Sequence, residues 1–484
     1  MRNRFKINTL KIKVACAWTI IICVLNIQNS NAQQSDTLRI LTLEDIYKSM
    51  LAFHPVVKQA NLLTTQAKQE LIMARGAGFD PKISSLLDAK TFEGKEYYSI
   101  WQNALKIPTW FGTEFKVGYD ENYGSYLNPQ NFIPSNGLSY VGVTVPIGQG
   151  LIMDQRRAVL RQAQAFQKIN EAEKIKIINK VFFDAAKDYW EWYFRFYRYK
   201  NLETGIELAN KRYQFVKSKV NVGEEASIDS TEALILLQTR SITYSQAEME
   251  LQNAALQLSN HTWGENDTPL EIDQKTKPEI FVWSVNKITN ETLNDLTSNA
   301  KINHPDILKL TFKLKQLDIE KRLALENIKP TINLNYNLLS QGKFQNFELK
   351  NDYLLNNAKY GFEFSMPLFL RKERGKLQLT KAKINQTNFE KVFTSRQVIN
   401  EINKYFNELL NTEKLIETQK KLVKNYIILR DGELEKFNNG ESSLFLVNSR
   451  ETNLIETQIK LAEMEAKYEK AKAGLYWAAG RTEF

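Results

Sequence analysis

The sequence predicts an α+β membrane protein: a tandem-duplicated chain in which each copy carries two strands followed by a long, coiled helical hairpin. Three observations predict it. Short motifs recur at long offsets, with Phe53-His54-Pro55 returning as Asn303-His304-Pro305 and Gly223-Glu224 as Gly440-Glu441. No proline occurs from 147 to 268 or from 368 to 484, and both stretches are rich in helix formers. Residues 331–339 and 360–368 alternate apolar and polar side chains, the period of a strand with two different faces. Four such strands per chain fall short of the eight that close a membrane barrel, and an open edge in lipid is costly. Three copies would close a 12-stranded barrel.

The first 32 residues read as an export signal. Arg2, Arg4, Lys6, Lys11 and Lys13 precede an apolar run from Val14 to Leu25, and Ser30-Asn31-Ala32 offers small residues for cleavage. The run is too short to span a bilayer, which needs roughly 20 residues. Both cysteines, Cys16 and Cys23, lie in this segment, so the chain beyond it has no thiol. Of the net charge of +10, five positive charges belong here, leaving 60 bases against 55 acids. That remainder argues against a nucleic-acid binder. A content of 43% hydrophobic and 11% aromatic residues excludes a disordered chain.

The first copy spans 33–264. His54-Pro55 opens a helical stretch that ends near Pro81, and strands are expected at 82–92 and 138–147. Between Pro81–Pro330 and Val145–Met366 the offset drops from 249 to 221, so the first copy carries 28 extra residues. Two further strand candidates, 96–105 and 113–119, fall in that excess. They suggest an extra hairpin between 92 and 137 without showing its place, and an insertion of this size is expected in an exposed loop. Residues 150–220 follow as one helix, on the order of 100 Å long at 1.5 Å per residue. Gly223 is the natural turn into a second helix with a heptad seam, Leu237, Tyr244, Leu251 and Leu258.

Residues 265–289 hold Pro269 and Pro278 and no clear period, and read as a connector. The second copy, 290–484, repeats the plan. Its strands are 331–339 and 360–368, its turn is Gly440, and its seam is Leu454, Leu461, Tyr468 and Leu475.

Residue chemistry points away from catalysis. The three histidines, His54, His261 and His304, do not form a metal site by spacing, and His54 and His304 read as packing residues at helix starts. No phosphate-binding loop is present. No catalytic, cofactor-binding or metal residue is assigned. The run Tyr189 to Lys200 holds eight aromatics in twelve residues. It reads as a packing layer rather than a ligand site or a membrane belt.

This arrangement resembles the TolC family of outer-membrane efflux proteins. The resemblance rests on the duplicated order, on Val145-Pro146-Ile147 with Met366-Pro367-Leu368, and on Val222-Gly223-Glu224 with Asn439-Gly440-Glu441. It implies a passive exit duct of a tripartite efflux or secretion system. It further implies a homotrimer with a 12-stranded barrel in outer-membrane lipid and a helical tunnel through the periplasm. No cofactor is implied. The partners implied are a periplasmic adaptor (membrane fusion) protein and an inner-membrane transporter, and the docking tips would be Val222, Gly223, Glu224, Asn439, Gly440 and Glu441. Related ducts carry acidic gate residues six and nine positions after the second glycine. Here those positions are Leu446 and Ser449, while the first copy offers Asp229 and Glu232 as a gate ring. Their alternative role is capping after the turn. Two other classes compete with the duct: a periplasmic adaptor, and a structural coiled-coil protein of the envelope.

Overall fold

The structure is a computed structural model and describes residues 39–273, 275–281, 288–343 and 351–481. The export signal expected at 1–32, with Cys16 and Cys23, lies outside the described residues. From the N-terminal side, β1 (Arg39–Leu41), α1 (Leu43–Phe53) and α2 (Pro55–Phe79) lead into β2 (Lys82–Phe92), β3 (Lys95–Pro108), β4 (Glu114–Tyr123) and β5 (Leu138–Pro146). The hairpin of α3 (Gln155–Asn221) and α4 (Ser227–Ser259) follows, and then the short β6 (Thr276–Pro278). The second half runs through α5 (Asn290–Asn303), α6 (Pro305–Glu326), β7 (Thr331–Gln341), α7 (Asn351–Asn356) and β8 (Ala358–Ser365). It ends in the hairpin of α8 (Arg371–Asn438) and α9 (Leu444–Ala478). The expected connector is only partly irregular, because β6 pairs in parallel with β1.

Helix starts follow local chemistry. Thr42 and Asp45 form a capping box before α1, and Asp154 accepts the Arg157 N–H at the start of α3. α3 has 67 residues and α8 has 68, so each is about 100 Å long. Long helices need close partners. Along α4 the buried row is Ala233, Arg240, Ala247 and Ala254, every seventh residue. The expected leucine seam is the second row of the same stripe, with Leu258 fully buried. On α3, Ala158, Ala165, Ala172 and Ala186 are likewise buried at seven-residue steps or multiples of seven. Alanine at such positions lets the helices lie close together. Among the described residues no helix is long and apolar enough to cross a membrane.

The apolar core lies midway along the long helices, in two large clusters and a small one between them. One gathers Ile46, Met50, Phe182, Tyr189, Trp192 and Leu258 around α3. The other gathers Leu296, Ile402, Phe406, Leu409 and Leu475 around α8. Phe183 and Trp477 join them, their rings stacked at 4.7 Å and 9°.

The strands form one antiparallel sheet in the order β2-β3-β4-β5-β7-β8. This corrects the expectation of four strands per chain. The 28-residue excess is not a loop: it supplies β3 and β4, which separate β2 from β5 and pair along their length. The physical reason is patterning. Leu105 pairs with Val117 on one face, and Lys106 pairs with Lys116 on the other, so the hairpin continues both faces of its neighbours.

Candidate functional site

Two regions are the candidates: the helical tips and the apolar face of the sheet. Val222-Gly223-Glu224 and Asn439-Gly440-Glu441 occupy equivalent ends of α3 and α8. Gly223 has φ +79° and Gly440 φ +78°, the left-handed region that favours glycine. The Glu224 N–H donates to the Lys219 carbonyl at 3.0 Å and the Gly223 N–H to the Val220 carbonyl at 3.1 Å. Glu441 and Gly440 donate identically to Lys436 and Phe437, at 2.9 and 3.0 Å. Both turns are therefore complete Schellman motifs. A Cβ at either glycine would meet no atom within 4 Å, so backbone conformation alone holds the glycine there.

Asp229 and Glu232 lie in the first turns of α4. The Asp229 carboxylate accepts the Ala226 N–H at 3.2 Å, so it caps the helix from its third position. Ala226 has no side-chain oxygen to return the bond. Glu232 is exposed. On α9, the Leu446 N–H reaches the Ser443 hydroxyl at 3.5 Å, the cap that replaces an acid in that copy.

Eleven residues above each turn, about 16 Å along the helix, sits a buried ionic cluster that the sequence reading missed. Arg212 of α3 donates to both oxygens of Glu451 of α9 at 2.6 and 2.9 Å, and to the Asn448 side-chain oxygen at 2.6 Å. Arg240 of α4 approaches Glu451 at 3.6 Å and donates to the Gly205 carbonyl at 2.7 Å. The Glu451 side chain is only 5% exposed. Burial lowers the Arg240 pKa, and Glu451 opposes that shift. The cluster ties the first hairpin to the second. One signal was available in the sequence: Arg240 interrupts a row of alanines at a core position of the heptad.

His54 and His304 do what their helix-start positions suggested. Each precedes a proline, and each accepts the N–H two residues on, Val56 or Asp306, through Nδ1 at 3.2 Å. Both are buried. The aromatic run joins the core through Tyr189, Trp192 and Tyr193, and the Tyr189 hydroxyl donates to the Leu41 carbonyl at 3.0 Å.

The sheet has one apolar face and one polar face. Cross-strand pairing aligns Ile83, Leu105, Val117, Val141 and Leu338 in one row. A second row on that face aligns Val145, Leu334 and Phe362. The opposite face carries Lys82, Lys106, Lys116 and Asn337 in alignment with Gly142 and Lys359. Much of the apolar face is open, with Ile83 85% and Phe362 67% exposed. Soluble monomers rarely show an apolar patch larger than about 300–600 Å².

No protein-family model matches the chain, and no curated protein matches it. Solved structures do. The CmeC outer membrane channel of Campylobacter jejuni superposes with a TM-score of 0.64 at 15% identity, over 91% of this chain and 87% of that one. The open state of the MtrE outer membrane channel of Neisseria gonorrhoeae gives 0.64 at 12% identity, over 94% of both chains. The outer membrane protein VceC of Vibrio cholerae gives 0.62 at 14% identity, over 91% and 96%. The resemblance to the TolC family is thus borne out in the fold. The chain has the fold of these outer-membrane channels.

Proposed function

We propose that this chain is the outer-membrane duct of a tripartite efflux or secretion system. It acts as a passive exit conduit and works as a homotrimer. The carrying observation is the sheet: one exposed apolar face, one polar face and, among the described residues, two unpaired edges, β2 and β8. Such a surface suits lipid outside and water within. Edges left open in hydrocarbon are expensive, which favours closure by further copies. Helices of about 100 Å extend from one end of the sheet and would form the periplasmic tunnel. The Schellman turns at Gly223 and Gly440 stand at the far end, where a periplasmic adaptor and an inner-membrane transporter would be met. The repeated element order supports reading 33–264 and 290–484 as two copies of one unit. The chain carries no catalytic assignment in this reading, and the driving energy belongs to the transporter.

Membrane fractionation with mass measurement in mild detergent tests the proposal. Outer-membrane location, heat-modifiable migration and a mass of three chains are expected. Peripheral extraction by salt, or a stable monomer inserted in membranes, would overturn it.

A further inference from the structure

We infer that hairpin β3–β4 is part of the barrel wall, so that the duct closes with 18 strands rather than 12. The inference rests on the trimeric duct proposed above and concerns its width. Each chain presents six paired strands, and three chains supply 18. Several features place the hairpin in the wall. β3 has 14 residues and β4 has 10, each long enough for a tilted membrane strand, which takes roughly 9–11. β4 pairs with β5 from Glu114↔Thr144 to Asp120↔Leu138, so the insertion interrupts the sheet between β2 and β5 instead of capping it. Its faces match those of its neighbours, with Leu105 and Val117 in the apolar row and Lys106 and Lys116 in the polar one.

The turn from β3 to β4 is anchored at the helical end of the sheet. The Thr109 N–H donates to the Thr113 carbonyl at 2.9 Å, and Arg157 at the start of α3 donates to the Gly150 carbonyl beside Gly112. The hairpin therefore runs the full height of the sheet.

The occupant of each open edge is a second copy of this chain. β2 runs away from the helices and β8 runs back toward them, so β8 of one copy meets β2 of the next in the antiparallel sense, as in an up-and-down barrel. With strands about 4.8 Å apart and tilted about 40°, each occupies about 6.3 Å of circumference. Eighteen strands then give a barrel about 36 Å across, against about 24 Å for twelve. The helices that meet the sheet form a ring of comparable width. Four per chain, α2, α3, α6 and α8, adjoin the sheet. Twelve helices at 8–10 Å spacing make a ring roughly 31–38 Å across. The wall and the tunnel join without a step, and the outer mouth admits wider cargo than a 12-stranded wall would.

Residues 33–484 contain no cysteine, so single cysteines report position cleanly. Leu105→Cys, Val117→Cys, Lys106→Cys and Lys116→Cys would each be made in the full chain, and the protein reconstituted in phosphatidylcholine nanodiscs. Each is treated with a membrane-impermeant maleimide, and particles are imaged end-on. The expected barrel is about 36 Å across. Labelling at 105 and 117 should be at least about tenfold slower than at 106 and 116, because a thiol in hydrocarbon forms little thiolate. Inserted trimers about 24 Å across, with all four sites labelled equally fast, would overturn the 18-stranded wall and leave the duct intact. A chain that never forms inserted trimers would overturn both.

Discussion

Arg212 and Glu451 stand 239 positions apart in sequence, yet the guanidinium of one grips both carboxylate oxygens of the other at 2.6 and 2.9 Å. The pair is the centre of a cluster with two arginines and one glutamate, and the cluster fastens the two hairpins near their tips. Removing the single acid would leave Arg212 and Arg240 buried without their counter-charge. Removing Arg212 would leave Arg240 to balance Glu451. Glu451→Leu is therefore expected to cost about 3–5 kcal/mol, the range for breaking a buried pair, and Arg212→Met clearly less. Thermal unfolding with hydrogen exchange at 205–225 and 440–455 measures both. Equal effects would contradict the charge argument.

The Schellman glycines give a second expectation. Gly223→Val and Gly440→Val face no steric obstacle, but each forces a β-branched residue to positive φ. The cost is about 1–2 kcal/mol per site, confined to the turn. Trimers should still insert. On the proposal that these turns meet the adaptor, transport should be lost because their backbone is deformed. Undiminished transport by the double variant would exclude these turns as docking tips.

The two capping histidines should make stability pH-dependent. Burial pulls the His54 pKa below its ordinary value, with His261 adding to the shift. Burial also lowers His304, with Lys176 assisting and Asp306 opposing. Protonating Nδ1 would remove the helix cap. With both folded-state values depressed, the unfolded chain binds more protons in the window below about pH 6.5. Their contribution is fully present above that window and is lost as pH falls through it. Glu465 and Glu469, raised by burial, favour the folded chain at low pH and oppose the trend. Comparison with His54→Asn/His304→Asn cancels them, since asparagine caps without titrating. The variant's unfolding midpoint should fall less between about pH 6.5 and 5. Parallel curves would show that the histidines do not contribute.

The strands show what the sequence discloses and what it withholds. Residues 82–92 are legible in the sequence to the residue, and 96–105 and 113–119 read as strand-like. Alternation reveals a face but not a neighbour, so the place of β3 and β4 in the sheet emerged only from pairing. The leucine seam of α4 was visible because leucine is strongly apolar. The parallel row Ala233, Ala247 and Ala254 was not, because alanine is common throughout helices. The Arg212–Glu451 pair is non-local, and nothing in either residue's neighbourhood names the other. β1 and β6 hold three residues each, too few for a period to register.

Asp229 and Glu232 stand where a helix cap and a gate ring make different demands. Their i, i+3 spacing puts both carboxylates on one face of α4, close above the tip. In a trimer six carboxylates would ring a narrow axis, attract cations and favour a divalent ion. Yet Asp229 already has a local task, accepting the Ala226 N–H at 3.2 Å. Asn at 229 preserves an acceptor oxygen, and Gln at 232 changes charge alone. Asp229→Asn with Glu232→Gln should therefore shift thermal stability by no more than about 0.5 kcal/mol, because the cap survives. Conductance in planar bilayers reads the other role. Loss of cation selectivity and of divalent block, at nearly unchanged stability, is the result expected of a gate ring. Unchanged selectivity and block would reduce Asp229 to a helix cap and Glu232 to a solvated surface charge.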